Sequence, residues 1–173
     1  MDSSSRFSRA IELFDKANSS DPNKESLNGR EIAKELLYAQ RMSDRLSKFD
    51  PDAGESLRLA VRCQHICRWE IPRGDYDMNR AGYLKWRNDL KKYHAGKAEA
   101  LLKEAGYDEE MIAQVRDLLL KKHLKKNRST QTLEDVVCLV FLEHYFEGFS
   151  KKYHEEKLLD ICLLYTSPSP RDA

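Results

Sequence analysis

The chain has 173 residues, of which 40% are hydrophobic and 34% charged, with only 7 glycines and 5 prolines. This length suits one domain with one core, and the balance is typical of amphipathic helices rather than of a turn-rich β protein or a disordered chain. The formal net charge of +1 gives no global basic field, so a nucleic-acid partner is not expected. We therefore predict an all-α fold, a single compact bundle of about six or seven helices.

The N-terminus MDSSSRFSRA contains no apolar segment of the kind found in secretory signals. No stretch of the sequence approaches the roughly 18 apolar residues that cross a membrane. The four cysteines lie within helical or apolar patterns, which indicates reduced, buried thiols rather than a disulfide framework: Cys63, Cys67, Cys138 and Cys162. These features predict a cytoplasmic protein without membrane contact.

Helical spacing of apolar residues predicts a first helix over about Arg6 to Ala17, ended by the NSSDPN segment. A second helix is predicted from about Glu31 to Phe49, where Asp50-Pro51 stops it. The third runs from Glu55 to about Trp69. It places Arg62, His65, Arg68 and Trp69 on one face, because these residues are three or four apart.

The segment EIPRGDYDMNRAGY that follows is the longest irregular stretch and the best candidate for a functional loop. Gly106 is predicted to cap the fourth helix in a left-handed conformation. The run VVCLVFL is apolar on all sides, which predicts that the sixth helix is central in the bundle. The last three predicted helices cover about Arg80 to Ala105, Glu109 to Leu124 and Leu133 to Tyr153.

The C-terminus differs in character from the rest of the chain. Its LLYTSPSPRDA segment looks like a translated sequencing-library adapter, and its Ser-Pro repeats cannot continue a helix. We therefore predict that residues 1–161 form the helical domain and that residues 162–173 are a non-native tail.

Two histidines and a carboxylate on separate predicted helices form a candidate metal site. His65, His94 and Asp135 lie on helices that otherwise read as core, and helical bundles build metal sites from side chains that converge in this way. A divalent metal held there would lower the pKa of a bound water. The alternative is structural: hydrogen-bonded core histidines, with Glu134 and Asp135 complementing a helix dipole.

Arginines and aromatic residues alternate around the irregular loop. Arg68, Arg73 and Arg87, with Trp69 among them, are candidates for binding a phosphate-containing small molecule, because guanidinium groups hold phosphate through paired hydrogen bonds. In the alternative interpretation these arginines only pin the loop, through ion pairs with carboxylates such as Asp75.

Four strings resemble the domain-of-unknown-function family 4202 over about Phe7 to Ile161: QHICRWEIPR, RAGYLKWR, LKKYHAGKAEALLKEAGYDEEMI and TLEDVVCLVFLEHYFEGF. That family carries no known activity. The chain is more distantly similar to the HD-type helical phosphohydrolases, and this resemblance implies an HD-like bundle with His65, His94 and Asp135 at ligand positions. Two departures stand out: Ile66 replaces the aspartate of the His-Asp pair, and the early LLYAQRM helix lacks a histidine.

The leading hypothesis is a metal-dependent phosphohydrolase acting on a nucleotide or another phosphoester, with Mn, Fe or Zn as the metal. Glu70 or Glu143 would orient or deprotonate the attacking water. The rival hypothesis is a non-catalytic module that binds a nucleotide or a partner, and a purely structural adaptor is the third. The sequence leaves open whether the chain is an enzyme and predicts no particular protein partner.

Overall fold

Helices make up most of the structure, a computed structural model that describes residues 3–123 and 126–152. The helices are α1 (Ser3–Ser19), α2 (Lys34–Phe49), α3 (Glu55–Cys63), α4 (Arg80–Glu104), α5 (Glu109–Leu119), α6 (Arg128–His144) and α7 (Phe146–Ser150). Short 3-10 turns cover Arg68–Glu70 and Arg73–Asp75. The all-α prediction is confirmed, and none of the described helices is long and apolar enough to cross a bilayer.

A β-hairpin lies where the second helix was predicted to begin. Strands β1 (Lys24–Leu27) and β2 (Arg30–Ala33) pair antiparallel, with Leu27 opposite Arg30. Asn28 and Gly29 make the turn with φ angles of 52° and 76°. Asn-Gly suits such a two-residue turn because both residues tolerate the left-handed region. The predicted start at Glu31 was therefore wrong, since α2 begins only after the hairpin.

The third helix ends six residues earlier than predicted, at Cys63 rather than Trp69. A turn follows, in which Cys67 has a left-handed φ of 51°. The buried Asn18 side chain accepts a hydrogen bond of 3.0 Å from the Cys67 N–H, which satisfies this group outside a helix. His65 and Arg68 thus lie on a turn, and the predicted common helix face with Arg62 and Trp69 was wrong.

The remaining boundaries were predicted with mixed success. Gly106 follows α4 with a φ of 88°, as predicted. Asn127 caps α6 through its side chain, so that helix begins five residues before the predicted Leu133. The predicted end at Tyr153 and the predicted tail at residues 162–173 lie outside the described residues.

One core unites the helices. Its fully buried side chains include Phe14 of α1, Met42 of α2, Leu59 of α3, Ile112 of α5 and Val136 of α6. The apolar run of α6 is buried on one side only, because Val136 and Val140 are inaccessible whereas Leu142 is 37% exposed. The sixth helix is therefore only partly central in the bundle, and less so than predicted.

Gly82 allows the loop before α4 to pack against the first turn of that helix. A Cβ atom at residue 82 would lie 2.1 Å from the Asp77 carbonyl oxygen. We expect Gly82→Ala to lower the free energy of unfolding by about 2 kcal/mol through this clash. Gly96, in the same helix with open space around it, is the control, and Gly96→Ala should stabilise by about 0.5–1 kcal/mol. Urea unfolding measures both, and equal effects would contradict the packing role.

Candidate functional site

Five polar side chains meet beside the core, and we call them the His65 cluster: Glu35, Tyr38, His65, Arg68 and His94. Helix α2 supplies the first two, the turn after α3 and its 3-10 extension supply His65 and Arg68, and α4 supplies the buried His94. The cluster therefore brings together residues that are up to 59 positions apart in the sequence.

The imidazole of His65 is held between two side chains. The Tyr38 ring stacks on it with centroids 4.3 Å apart and an interplanar angle of 12°. Nη1 of Arg68 lies 3.4 Å from Nδ1 and 3.2 Å from Nε2 of the same imidazole. An atom in the plane of the imidazole at these distances from both nitrogens would collide with the ring carbon between them. The Arg68 guanidinium therefore lies over a face of the His65 ring. Since Tyr38 occupies one face, Arg68 covers the other, and the ring edge of His65 is not taken by either.

Glu35 approaches His65 from the first turn of α2. Its Oε2 is 3.8 Å from Nδ1 of His65, which is longer than a hydrogen bond. Burial raises the pKa of the Glu35 carboxyl to about 7, although the nearby Arg68 charge opposes this shift. Near neutral pH this group therefore exists in both protonation states, so it can take up or release a proton.

Both histidines are neutral at neutral pH. Burial, followed by the positive charge of Arg68, holds the pKa of His65 well below its usual value. Burial also lowers the pKa of His94 to about 4, despite the hydrogen bond that its Nδ1–H donates to the Ile66 carbonyl at 2.9 Å. With Nδ1 protonated in this bond, Nε2 of His94 carries a lone pair. The two imidazole centroids are 5.9 Å apart.

The end of α1 positions both sides of the cluster. The buried Asp21 accepts a 3.0 Å hydrogen bond from the Glu35 N–H, and the buried Asn18 holds Cys67, two residues after His65. Cys67 has a left-handed φ angle in the turn that carries His65, and strained non-glycine residues of this kind are enriched at functional sites. The left-handed Lys121 has a different origin, because it ends α5 with a hydrogen bond from its N–H to the Leu118 carbonyl.

An ion pair lies next to the cluster. Lys121 Nζ is 2.5 Å from Oε1 of Glu134, which joins the turn after α5 to α6. The Lys121 charge contributes to the low pKa of His65, and the Glu134 charge contributes to the raised pKa of Tyr38. The charges of this ion pair thus act on two members of the His65 cluster.

Comparison with known proteins identifies the family. The family model "Domain of unknown function (DUF4202)" matches residues 8–166. The chain belongs to the DUF4202 family. No curated protein and no solved structure matches it. The resemblance inferred from the sequence is thus confirmed at the family level.

The structure brings together only part of the metal site predicted for this DUF4202 chain. His65 and His94 are neighbours, whereas the Asp135 carboxylate accepts a 2.8 Å hydrogen bond from Gln131 on its own helix. Ile66, at the aspartate position of the HD pair, is fully buried in the core. Within residues 3–123 and 126–152, no group of three or more His, Cys, Asp or Glu side chains could hold a metal ion.

The two predicted catalytic carboxylates both lie at exposed positions. Glu70 accepts a hydrogen bond from the Tyr93 hydroxyl, and its Oε2 is 3.4 Å from Nζ of Lys97. Glu143 forms a 3.0 Å ion pair with Arg45 near the end of α6. Each of them therefore has an ionic partner outside the cluster.

The predicted phosphate-binding residues separate into two groups. Arg68 belongs to the cluster, and the charge of Arg87 lowers the pKa of His65, although its guanidinium bonds to the Tyr83 hydroxyl. Arg73 donates to backbone carbonyls of its own loop, and Trp69 packs against the hydrophobic core. The alternative interpretation, in which the arginines only pin the loop, thus holds for Arg73, although its partners are backbone carbonyls and not carboxylates.

Sequence reasoning missed Glu35, Tyr38 and Lys121. A signal for Glu35 was present, because this residue shares a helical face with the buried Ala39 and Met42, four and seven positions later. A carboxylate on an apolar face is rarely unpartnered, so this spacing alone marks it as a candidate.

The low pKa of His94 predicts a pH-dependent stability. A histidine normally titrates near 6.5, so a folded-state pKa of about 4 means that the unfolded chain binds the proton more readily as the pH falls between these values. We expect this group alone to remove up to about 3 kcal/mol of stability between pH 6.5 and 4. The free energy of unfolding of a His94→Asn variant should fall less steeply over this range, measured by urea unfolding. Parallel pH profiles would contradict this account.

Proposed function

We propose that the His65 cluster binds the phosphate group of a small phosphorylated molecule such as a nucleotide. The observation that carries this proposal is the concentration of positive charge around a neutral imidazole. Arg68, Lys121 and Arg87 all act on His65, and each disfavours its protonated form. An anion bound beside the His65 imidazole would be stabilised by these cations.

The negative groups of the cluster offset this charge only in part. Glu134 is paired with Lys121, and the raised pKa of Glu35 keeps a fraction of that carboxyl protonated at neutral pH. Arg68 has no carboxylate within ion-pair distance among the described residues, and it lies over the rings of His65 and Trp86. Its remaining N–H groups suit the fork geometry of a phosphate.

A second candidate function, metal-dependent hydrolysis of the same phosphoester, is favoured by the 3.8 Å between Glu35 Oε2 and His65 Nδ1. Metal bonds of about 2.1 Å to each atom allow a separation of up to roughly 4.2 Å, so one divalent ion (Mn, Fe or Zn) fits between them. Such an ion would lower the pKa of a bound water. In this HD-like interpretation Glu35 supplies a carboxylate that position 66 lacks, and the ion would be held by the Glu35 and His65 pair alone among the described residues.

Arg68→Gln tests phosphate binding. Removing the guanidinium deletes a charge-assisted hydrogen bond, so we expect the affinity for AMP to fall by a factor of ten or more, which corresponds to about 1.5 kcal/mol. Titration calorimetry on the metal-free protein measures the change. Arg45→Gln is the matched control, because Arg45 pairs with Glu143 away from the cluster, and its affinity should stay unchanged. Equal AMP affinity in both variants would refute the proposed role of Arg68.

Elemental mass spectrometry on protein purified without chelators tests the hydrolase candidate. A stoichiometric metal is expected in the parent and should be lost in Glu35→Gln, because the carboxylate ligand is removed. Glu143→Gln should retain it, since Glu143 is paired with Arg45 outside the cluster. AMP binding by a parent that takes up no Mn, Fe or Zn would leave the non-catalytic binding module as the function.

A further inference from the structure

The loop before α4 is exposed but well held. Arg73 donates to the carbonyl oxygens of Tyr76 at 3.0 Å and Asp77 at 2.7 Å, and the Asn79 side chain caps α4 by accepting from the Gly82 N–H at 2.8 Å. The loop therefore presents its side chains in a fixed arrangement. A fixed surface loses little conformational entropy when it binds a partner.

Next to this loop lies a surface that we call the α4 stripe: Met78, Arg80, Tyr83, Leu84 and Arg87. The four helical members are three or four residues apart and share one side of α4. Met78 is 81% exposed, Leu84 56% and Tyr83 42%. Neither Arg80 nor Arg87 has a carboxylate within ion-pair distance in the part of the chain that the structure describes. Met, Tyr and Arg are the side chains enriched in protein interfaces.

The same side of α4 is covered farther along the helix. His94, Ala98 and Leu102 continue the helical spacing of Arg80 and Arg87, and all three are buried. The α4 stripe is thus the uncovered beginning of a helix side that elsewhere packs against the protein.

On another side of the same loop lies a surface of opposite sign, which we call the acidic groove. It has a volume of about 510 Å³, and its lining includes Glu70, Asp75, Asp77 and Asp89, with Lys85 as a basic member. Asp75 and Asp77 are exposed and have no basic side chain within ion-pair distance among the residues described. Among the described residues, acids and cations without an ionic partner thus lie side by side, on one loop and the helix that follows it.

We propose that two copies of the chain associate through this region, with the α4 stripe of each copy against the acidic groove of the other. A two-fold axis between the copies produces both contacts at once, because the two surfaces are adjacent. A second copy uses the stripe and the groove, whereas an acidic protein or an anionic lipid would use the stripe alone. This proposal does not rest on the proposed phosphate binding, although Arg87 is common to the two.

Charge reversal tests the pairing. We expect the parent to form a dimer that weakens as the ionic strength rises. The double variant Arg80→Glu, Arg87→Glu places negative charges against the acidic groove. The double variant Asp75→Arg, Asp77→Arg places positive charges against the α4 stripe. Each double variant should dissociate at least ~100-fold more readily, because facing like charges cost several kcal/mol. Sedimentation equilibrium measures the dissociation constants, and circular dichroism verifies that both variants are folded.

Mixing the two double variants is the decisive step. The acidic stripe of one variant then meets the basic groove of the other, so a dimer with one copy of each should form, detectable by native mass spectrometry. Lys48→Glu with Lys92→Glu reverses two exposed charges outside the stripe and should leave the parent dimer intact. A monomeric parent at all concentrations, or a mixture that does not associate, would overturn the proposal.

Discussion

The hydrogen bond from the Cys67 N–H to the Asn18 side chain is the constraint on which the candidate site depends. It joins the end of α1 to the turn after α3 across 49 residues, in a region where Asn18 is only 1% exposed. Without this acceptor, a buried N–H would lose its partner, and an unpaired buried donor costs about 1–3 kcal/mol. The bond stabilises the left-handed Cys67 in the turn that follows Cys63, and this turn puts His65 opposite Glu35 instead of on a helix face.

The cluster places ionisable groups where their charged forms are disfavoured. Burial is the largest cause of the shifted pKa of Glu35, of His65 and of His94. A fold that maximised stability would fill this volume with apolar side chains, as it does at Ile66. The protein retains three groups with shifted pKa values beside Arg68, next to strained backbone at Cys67. This is the pattern expected of a site that binds or transforms a ligand.

Features determined by neighbouring residues were predictable from the sequence, and features determined by distant residues were not. The start of α4, the cap at Gly106 and the position of His94 on α4 follow from local preferences. The turn after α3 is held by a hydrogen bond to Asn18 at the end of α1, a distant residue. The spacing of apolar residues along α3 does not reveal this bond, so the predicted helix ran on to Trp69. The hairpin is a local feature that was nevertheless missed. Its Asn28-Gly29 sequence favours a tight turn, but the apolar spacing of α2 outweighed this signal and predicted a helix there.

The candidate site and the proposed dimer surface are joined by direct contacts. The guanidinium of Arg68 lies 5.2 Å from the Trp86 ring centroid, and Trp86 is 5.9 Å from the ring of Tyr83 in the α4 stripe. Trp86 is itself fixed by a 2.9 Å hydrogen bond to the Ile71 carbonyl, so these rings form a packed series and not a mobile edge. A ligand that moves Arg68 would therefore act on the stripe through one intervening side chain. Because coupling between two binding events is reciprocal, association of two copies would change phosphate affinity by the same factor by which phosphate changes association.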